Sequence, residues 1–439
     1  MDHMKLIKQN SGAAMLFFML FFVVASSAMT FLLSRSSGSD IYLLSSIASS
    51  KQAYITAESA LEDVVVRTMN GDSVSAITTL GEVSGIATTT VTYDNVSDTY
   101  IIKSTAKVGR TTKISLVELS PGAGTAFNYG LQSGNGGFTL TNSASITGNA
   151  FSNGSVVGQG SSMIYGDVIS AGPTGLISKI SATGSAWSNT LDDSVIQGDA
   201  HYNVVGVPST VNGTRYTPFT VIDPEPLPIP DSEIELYKTD VENDGSIIPA
   251  SSCTDGKYVI DSDTTIGNVK IECDLEIKKT GASTIVTLTG TVWVAGNITF
   301  SSGPTIRISP TISRRSVYII ADNPANRLTS SKISVSNSTQ FIGGGHASSF
   351  IMLTSQNNSA ESGGSETAID VGQSSSGALL LYAGHGKVVI GNQIYLKSVS
   401  GYHIDIGNNS NIIYDTGLTS VLFTGGPGGG YVISDWYQE

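Results

Sequence analysis

Gly148-Asn149-Ala150-Phe151-Ser152-Asn153 returns 36 residues later as Gly184-Ser185-Ala186-Trp187-Ser188-Asn189. Within the same region Ile146-Thr147-Gly148-Asn149-Ala150 recurs after 18 residues as Ile164-Tyr165-Gly166-Asp167-Val168, and again as Ile196-Gln197-Gly198-Asp199-Ala200. A period of 18 doubled to 36 is what a coil of short parallel strands gives, each turn presenting one inward aliphatic and one Gly-Asn or Gly-Asp corner. The spacing predicts a β-solenoid over 125–206, of either hand.

Downstream the same small signature reappears as Ile266-Gly267-Asn268-Val269, Val294-Ala295-Gly296-Asn297-Ile298 and Ile390-Gly391-Asn392-Gln393-Ile394. It lies among alternating runs such as Thr284 to Val294, so a second solenoid-like segment is expected over 233–425. Ser349 to Thr354 and Ala378 to Tyr382 are apolar enough to be covered on both faces. Between the segments, 207–232 holds Pro218, Pro224, Pro226, Pro228 and Pro230. Each proline removes a ladder donor, so this stretch is a stiff connector and not a central strand. Asp231 or Ser232 then caps a short helix, Glu233 to Val241. Gly425 to Gly430 is a flexible joint, and the tail 426–439 contains one closing strand, Tyr431 to Trp436.

Upstream the pattern changes. Ala13 to Leu33 is a run of 21 residues without a charge, long enough at about 1.5 Å per residue to span a hydrocarbon core of roughly 30 Å. Lys5 and Lys8 precede it and Arg35 follows, which orients the N-terminus to the cytoplasm and the body outside. The span suits a signal-anchor, a secretory signal cut after Ala28, or a pilin-like signal cut after Gly12. Helical periodicity continues to about residue 69 through Leu44, Ile47, Tyr54, Ala57, Leu61, Val64 and Val65, and Asn70-Gly71-Asp72 supplies the stop. Thr88–Tyr93, Tyr100–Ala106 and Thr112–Leu119 then form a meander on the helix's second half, ended by Pro121-Gly122-Ala123-Gly124.

Ser11-Gly12-Ala13-Ala14-Met15-Leu16, the apolar helix, and Tyr54-Ile55-Thr56-Ala57-Glu58-Ser59-Ala60-Leu61-Glu62 resemble the start of PilX-type minor pilins and K-type minor pseudopilins. The resemblance covers about a sixth of the chain. It implies processing between Gly12 and Ala13 by a prepilin peptidase, leaving 1–12 as a leader, 13–33 as transmembrane helix and 34–120 as a pilin-like module. It places Tyr54, Ala57, Glu58, Leu61 and Glu62 in a family motif. It also implies other pilin subunits and the inner-membrane assembly machinery as partners. Phe17 stands where major pilins carry glutamate, which suits a rare or tip subunit better than a shaft subunit.

Composition narrows the rest. The net charge is −13, and after residue 35 no basic cluster exceeds Arg314-Arg315, so nucleic acid is not expected as a partner. Cys253 and Cys273 are the only cysteines; outside the cell they either pair as a disulfide or remain two buried thiols. Asp192-Asp193 and Asp261-Ser262-Asp263 are the nearest thing to a carboxylate pair, and neighbours on a strand face opposite ways, so turn roles are expected of them. His201, His346, His385 and His403 have no metal-ligand spacing. Gly343-Gly344-Gly345-His346 lacks the lysine and hydroxyl of a phosphate loop. No metal and no cofactor are expected, and the chain is not expected to be an enzyme.

The fold class is therefore mainly β: a long N-terminal helix, transmembrane and then amphipathic, with a small α/β module and a parallel β-solenoid body. The function expected is that of a minor pilin-like structural protein, single-pass in the membrane, displaying its body for assembly priming or adhesion to a glycan or a protein. Tyr402, Tyr414 and Trp293 are the candidate exposed aromatics. The alternatives are a membrane-anchored carbohydrate-active β-helix enzyme and a polymer-forming surface solenoid.

Overall fold

The computed structural model describes residues 11–69, 75–82, 85–94, 99–121, 127–312, 314–414, 418, 421, 423 and 431–438. The leader 1–10, the helix stop at 70–72 and the glycine joint at 425–430 lie outside the described residues. Two compact units form, Met1–Ser120 with Val432–Glu439, and Pro121–Tyr431.

In the first unit one helix, α1, runs from Ser11 to Met69. Its Met15–Leu32 stretch is exposed and apolar enough to cross a membrane. Farther along, Ala53, Ala57, Ala60, Leu61, Val64 and Val65 are buried, a spacing that keeps them on one helical face. That face packs on an antiparallel sheet of β1 (Ile77–Glu82), β2 (Gly85–Asp94), β3 (Thr99–Val108) and β4 (Thr111–Pro121), with Tyr431–Gln438 as the fifth strand beside β4. Ala57 and Ala60 meet Ala87 and Ala106 in one cluster. Small side chains on both surfaces bring helix and sheet close together. The closing strand expected at 431–436 is thus not a free tail but part of this sheet, and the solenoid is a chain insertion between β4 and that strand.

The second unit is a three-sided coil of parallel strands. Its third face alone contains 12 of them among the described residues, seven from 264–413 and five from 145–211. Aliphatic residues from every coil fill one continuous core. The boundaries differ from expectation in three ways. First, coiling continues past 206 to Arg215–Tyr216. Second, the helix α2 is longer, Asp231–Asp244, and the second segment starts as strand at Ser246.

Third, the two segments are one stack, entered in the middle. The strand Ser398–Ile406 pairs in parallel with β5 (Leu131–Leu140), and Asn411–Ile413 pairs with Ser145–Thr147. From β5 the chain coils toward one end, reaching Tyr216. It then runs back outside the stack, re-enters at the opposite end at Ser246, and coils toward the middle until it meets β5. Physics sets the length of the return. Twelve coils at about 4.8 Å span roughly 53 Å. Fourteen extended residues, 217–230, and the 14 of α2 reach roughly 65 Å. A proline-rich strap suits this path because it crosses the coils and joins no ladder.

The Gly-Asn/Asp signature has a specific job. At Gly166 a Cβ would stand 2.5 Å from the Gly148 carbonyl oxygen, and at Gly407 it would stand 2.6 Å from that of Gly391. Successive corners therefore stack backbone on backbone, which only glycine permits. The next residue ties the coils: Asn149 Oδ1 accepts from Asp167 N at 2.9 Å, Asp167 Oδ1 from Ser185 N at 2.8 Å, and Asn392 Oδ1 from Asn408 N at 2.8 Å.

Both ends are marked. At one, Val205 continues the column of Leu191 and Arg215 that of Ala200, both core residues. Val205 is 47% exposed, and the Arg215 guanidinium donates to Ser209 O at 3.1 Å. An inward position occupied by a charge protects an open sheet edge. At the other end Cys253 and Cys273 are joined in a disulfide, linking the first coil's corner to the second coil.

Candidate functional site

The strap and α2 turn the outer face of the 292–382 coils into a second core. Ile234, Tyr237 and Val241 of α2 pack with Trp293, Tyr318, Ile320, Met352 and Leu380, joined by Leu418, Val421 and Phe423. This explains why Val317–Ala321 and Ile351–Ser355 are buried at every position. It also corrects the expectation for Trp293, which is not an exposed ligand platform. Trp293 lies beneath α2 with Lys238 and Lys270 over its ring at 4.8 and 4.3 Å, a cation–π arrangement. Tyr414 is half-buried and donates to Phe127 O at 2.6 Å.

One side chain in that helix face is charged. Lys238, 4% exposed, has its Nζ 2.6 Å from Asp322 Oδ2 and 2.8 Å from Glu235 Oε2. Arg327 grips the fully buried Asp322 with two bonds of 2.8 Å. Those bonds hold the Arg327 guanidinium above its ordinary pKa. The buried carboxylate is compensated from both sides, as burial of a charge requires.

Where strap and stack meet near the middle coils, a groove of about 280 Å³ opens. One wall is strap, Pro226 to Asp231; the other is a column of corners from successive coils, including Gly134-Asn135, Gly384-His385 and Tyr402. The strap is fixed there by polar bonds. Asn153 exchanges two hydrogen bonds with the Glu225 backbone at 2.7 and 2.9 Å, Gln132 donates to Pro226 O at 2.8 Å, and the buried Tyr382 hydroxyl donates to Ile229 O. Tyr129 faces Glu225 at 3.2 Å; burial and then that carboxylate push its hydroxyl up to about 12.

His385 links the walls. Its Nδ1 lies 2.5 Å from Glu361 Oε2 and its Nε2 2.9 Å from Asp231 Oδ2. Burial works against a charged ring, but the bonds to Glu361 and Asp231 outweigh it and raise the histidine pKa. With an acceptor at each nitrogen, the imidazolium is the form that satisfies both. A second such group sits nearby at the junction of the two segments. Asp405 accepts from Lys387 at 2.6 Å and His403 at 3.1 Å; burial pushes its carboxyl up, yet these bonds hold it at about 2. Chemically, Asp231 and Glu361 are not poised as a hydrolytic pair. The imidazole fills the space between them, where a glycosidic bond and water would have to lie.

The other residues singled out in the sequence fall as follows. Gly12 and Ala13 lie in the first turn of α1, their surroundings outside the described residues. On the same helix Tyr54 donates to Glu58 at 2.8 Å, Ala57 and Leu61 are buried, and Glu62 is exposed. Asp192 accepts from Val207 N and, at 2.8 Å, from Ser178; the Val207 bond lowers its pKa most. Asp263 accepts from Ile285 N at 2.9 Å. His201 stacks between Trp187 and Tyr216 at 5.2 and 4.4 Å, and His346 bonds Ser348. The histidines do not converge. Asp231, Glu361, Lys238, Asp322 and Arg327 were not legible as a set, although Gly384-His385-Gly386 between two apolar runs marks an outward bulge.

The class these features define is a membrane-type helix packed on a small sheet, with a strapped parallel solenoid inserted into that sheet. No family model matches the chain, and no curated protein matches it. Among solved structures, the competence-associated pilin ComZ from Thermus thermophilus aligns over 89% of this chain and 97% of its own at 10% identity. The TM-score of that alignment is 0.20, too low to support an argument.

Proposed function

We propose that the chain is a minor, pilin-like subunit of a type IV filament or related secretion machine, held in the membrane by α1 and displaying its solenoid outside the cell. The observation that supports this is α1 itself. One unbroken helix of 59 residues is exposed and apolar over Met15–Leu32 and buried against an antiparallel sheet over Ala53–Val65. A plain anchor has no need of the second half. In this reading Gly12 is the residue before the cut, Ala13 the mature N-terminus, and other pilin subunits and the assembly machinery the partners of the helix. Phe17 leaves the span without a carboxylate, which suits the end of a filament. The body then serves for recognition and catalyses nothing.

Determining the mature N-terminus of protein extracted from membranes tests this. The expected start is Ala13, with Gly12→Trp accumulating uncut. A start at Met1 or Met29 in the wild type, or unaltered processing of Gly12→Trp, would overturn it.

A further inference from the structure

The groove beneath the strap contains groups that the fold does not use. The Tyr402 ring is half-buried and lies against Gly134 and Gly136, where an added Cβ would come within 3.5 and 3.1 Å of ring carbons. Among the described residues its hydroxyl has no hydrogen-bond partner, and neither does the exposed amide of Asn135, one coil away. Asp231 on the strap wall and Glu361 on a coil corner are each about half exposed, at 51% and 50%. Both are pinned by His385, yet each carboxylate has lone pairs to spare.

We propose that this groove is a binding site for one neutral saccharide unit. A tyrosine ring gives a rigid apolar face at small entropic cost. A primary amide offers both donor and acceptor, and pinned carboxylates accept from hydroxyls in a fixed geometry. That combination matches a ring with one apolar face and equatorial hydroxyls. The charge argues against an acidic ligand, because two carboxylates and one imidazolium leave the lining negative. Size argues against a polymer: at about 280 Å³ the volume falls just below the roughly 300–1,000 Å³ range of small-molecule sites, so an exposed terminal residue is favoured over the interior of a chain. The outward Trp187–His201–Tyr216 column is a poorer site, since its rings lie 9° and 7° from parallel and cover one another's faces.

The inference deepens the display reading by naming a ligand class, and its test is independent of processing at Gly12. The full chain in detergent is titrated with N-acetylglucosamine, galactose and glucuronate, read by saturation-transfer NMR and calorimetry. At least one neutral sugar is expected to bind. Tyr402→Ala should weaken it tenfold or more and Asn135→Ala severalfold, while Tyr402→Phe, which keeps the ring, weakens it less. Asn135 is exposed, so its variant reports on binding even if Tyr402→Ala disturbs folding. Binding of no neutral sugar, a preference for glucuronate, or neutral binding unchanged by both Asn135→Ala and Tyr402→Phe would each overturn the site.

Discussion

His385 has an acidic partner at both ring nitrogens, Asp231 from α2 and Glu361 from a coil corner, and Gln356 also reaches Asp231 at 3.4 Å. The strap is therefore tied to the stack through this ring, and the bond at each nitrogen favours its protonated form. The histidine pKa is raised above 6.5, so its contribution to stability is complete below about 6.5 and is lost as pH rises through the folded value. His403, raised first by its bond to Asp405, acts in the same direction. Thermal unfolding of the full chain should show a melting temperature that falls as the pH rises above about 6.5. His385→Gln should flatten part of that fall, and an unchanged slope would show that the ring carries no such charge. At this scale the sequence was informative where a residue acts within its own coil. Phe151 and Trp187 are two coils apart in one column, through Ile169, as their 36-residue spacing implied. It was silent where partners come from distant loops: nothing local marks Glu361 as facing residue 231.

α2 shows what one element does for another. Its buried positions Ile234, Tyr237, Lys238 and Val241 follow helical spacing, and they cover coils whose outward faces would otherwise be apolar and bare. A lysine among them requires an anion on the other side, and Asp322 supplies it. Removing one member of a buried ion pair leaves the other uncompensated, typically at about 3–5 kcal/mol. Asp322→Asn should destabilise the body by that order and speed hydrogen exchange across α2. Glu242→Gln, which breaks the exposed pair with Lys270, should cost less than about 1 kcal/mol. Equal effects of the two substitutions would mean that Lys238 is not held as described. The helix was readable from its periodicity, but not from the cap expected at Asp231 or Ser232: Pro230 holds the cap position without a side-chain hydrogen bond, and Asp231 opens the first turn. Its role as a cover was not, because the surface beneath it is assembled from coils spread from Val269 to Leu380.

Across the whole molecule the main surprise is order. A sequence repeat reports that coils exist but not which coil follows which in space, and residues 131–147 meet 398–413 with no local sign of it. The ends of the stack are equally nonlocal. Arg215 sits in an inward column at the open end, and its charge opposes the docking of another sheet there. Arg215→Leu should extend the apolar column through Val205 and Val211, giving concentration-dependent end-to-end association in sedimentation velocity; a monodisperse variant would show that the charge is not the guard. The mid-stack junction also has a mechanical meaning. The chain arrives by Phe127 and leaves past Leu418, and the Phe127 amide bonds the Leu418 carbonyl at 2.9 Å. The residues by which the chain enters and leaves the solenoid are thus joined to each other by a main-chain hydrogen bond within the stack. Pulling entry and exit apart would load this one bond before any ladder between coils, so the body resists such a force first at its clasp and not at its strands.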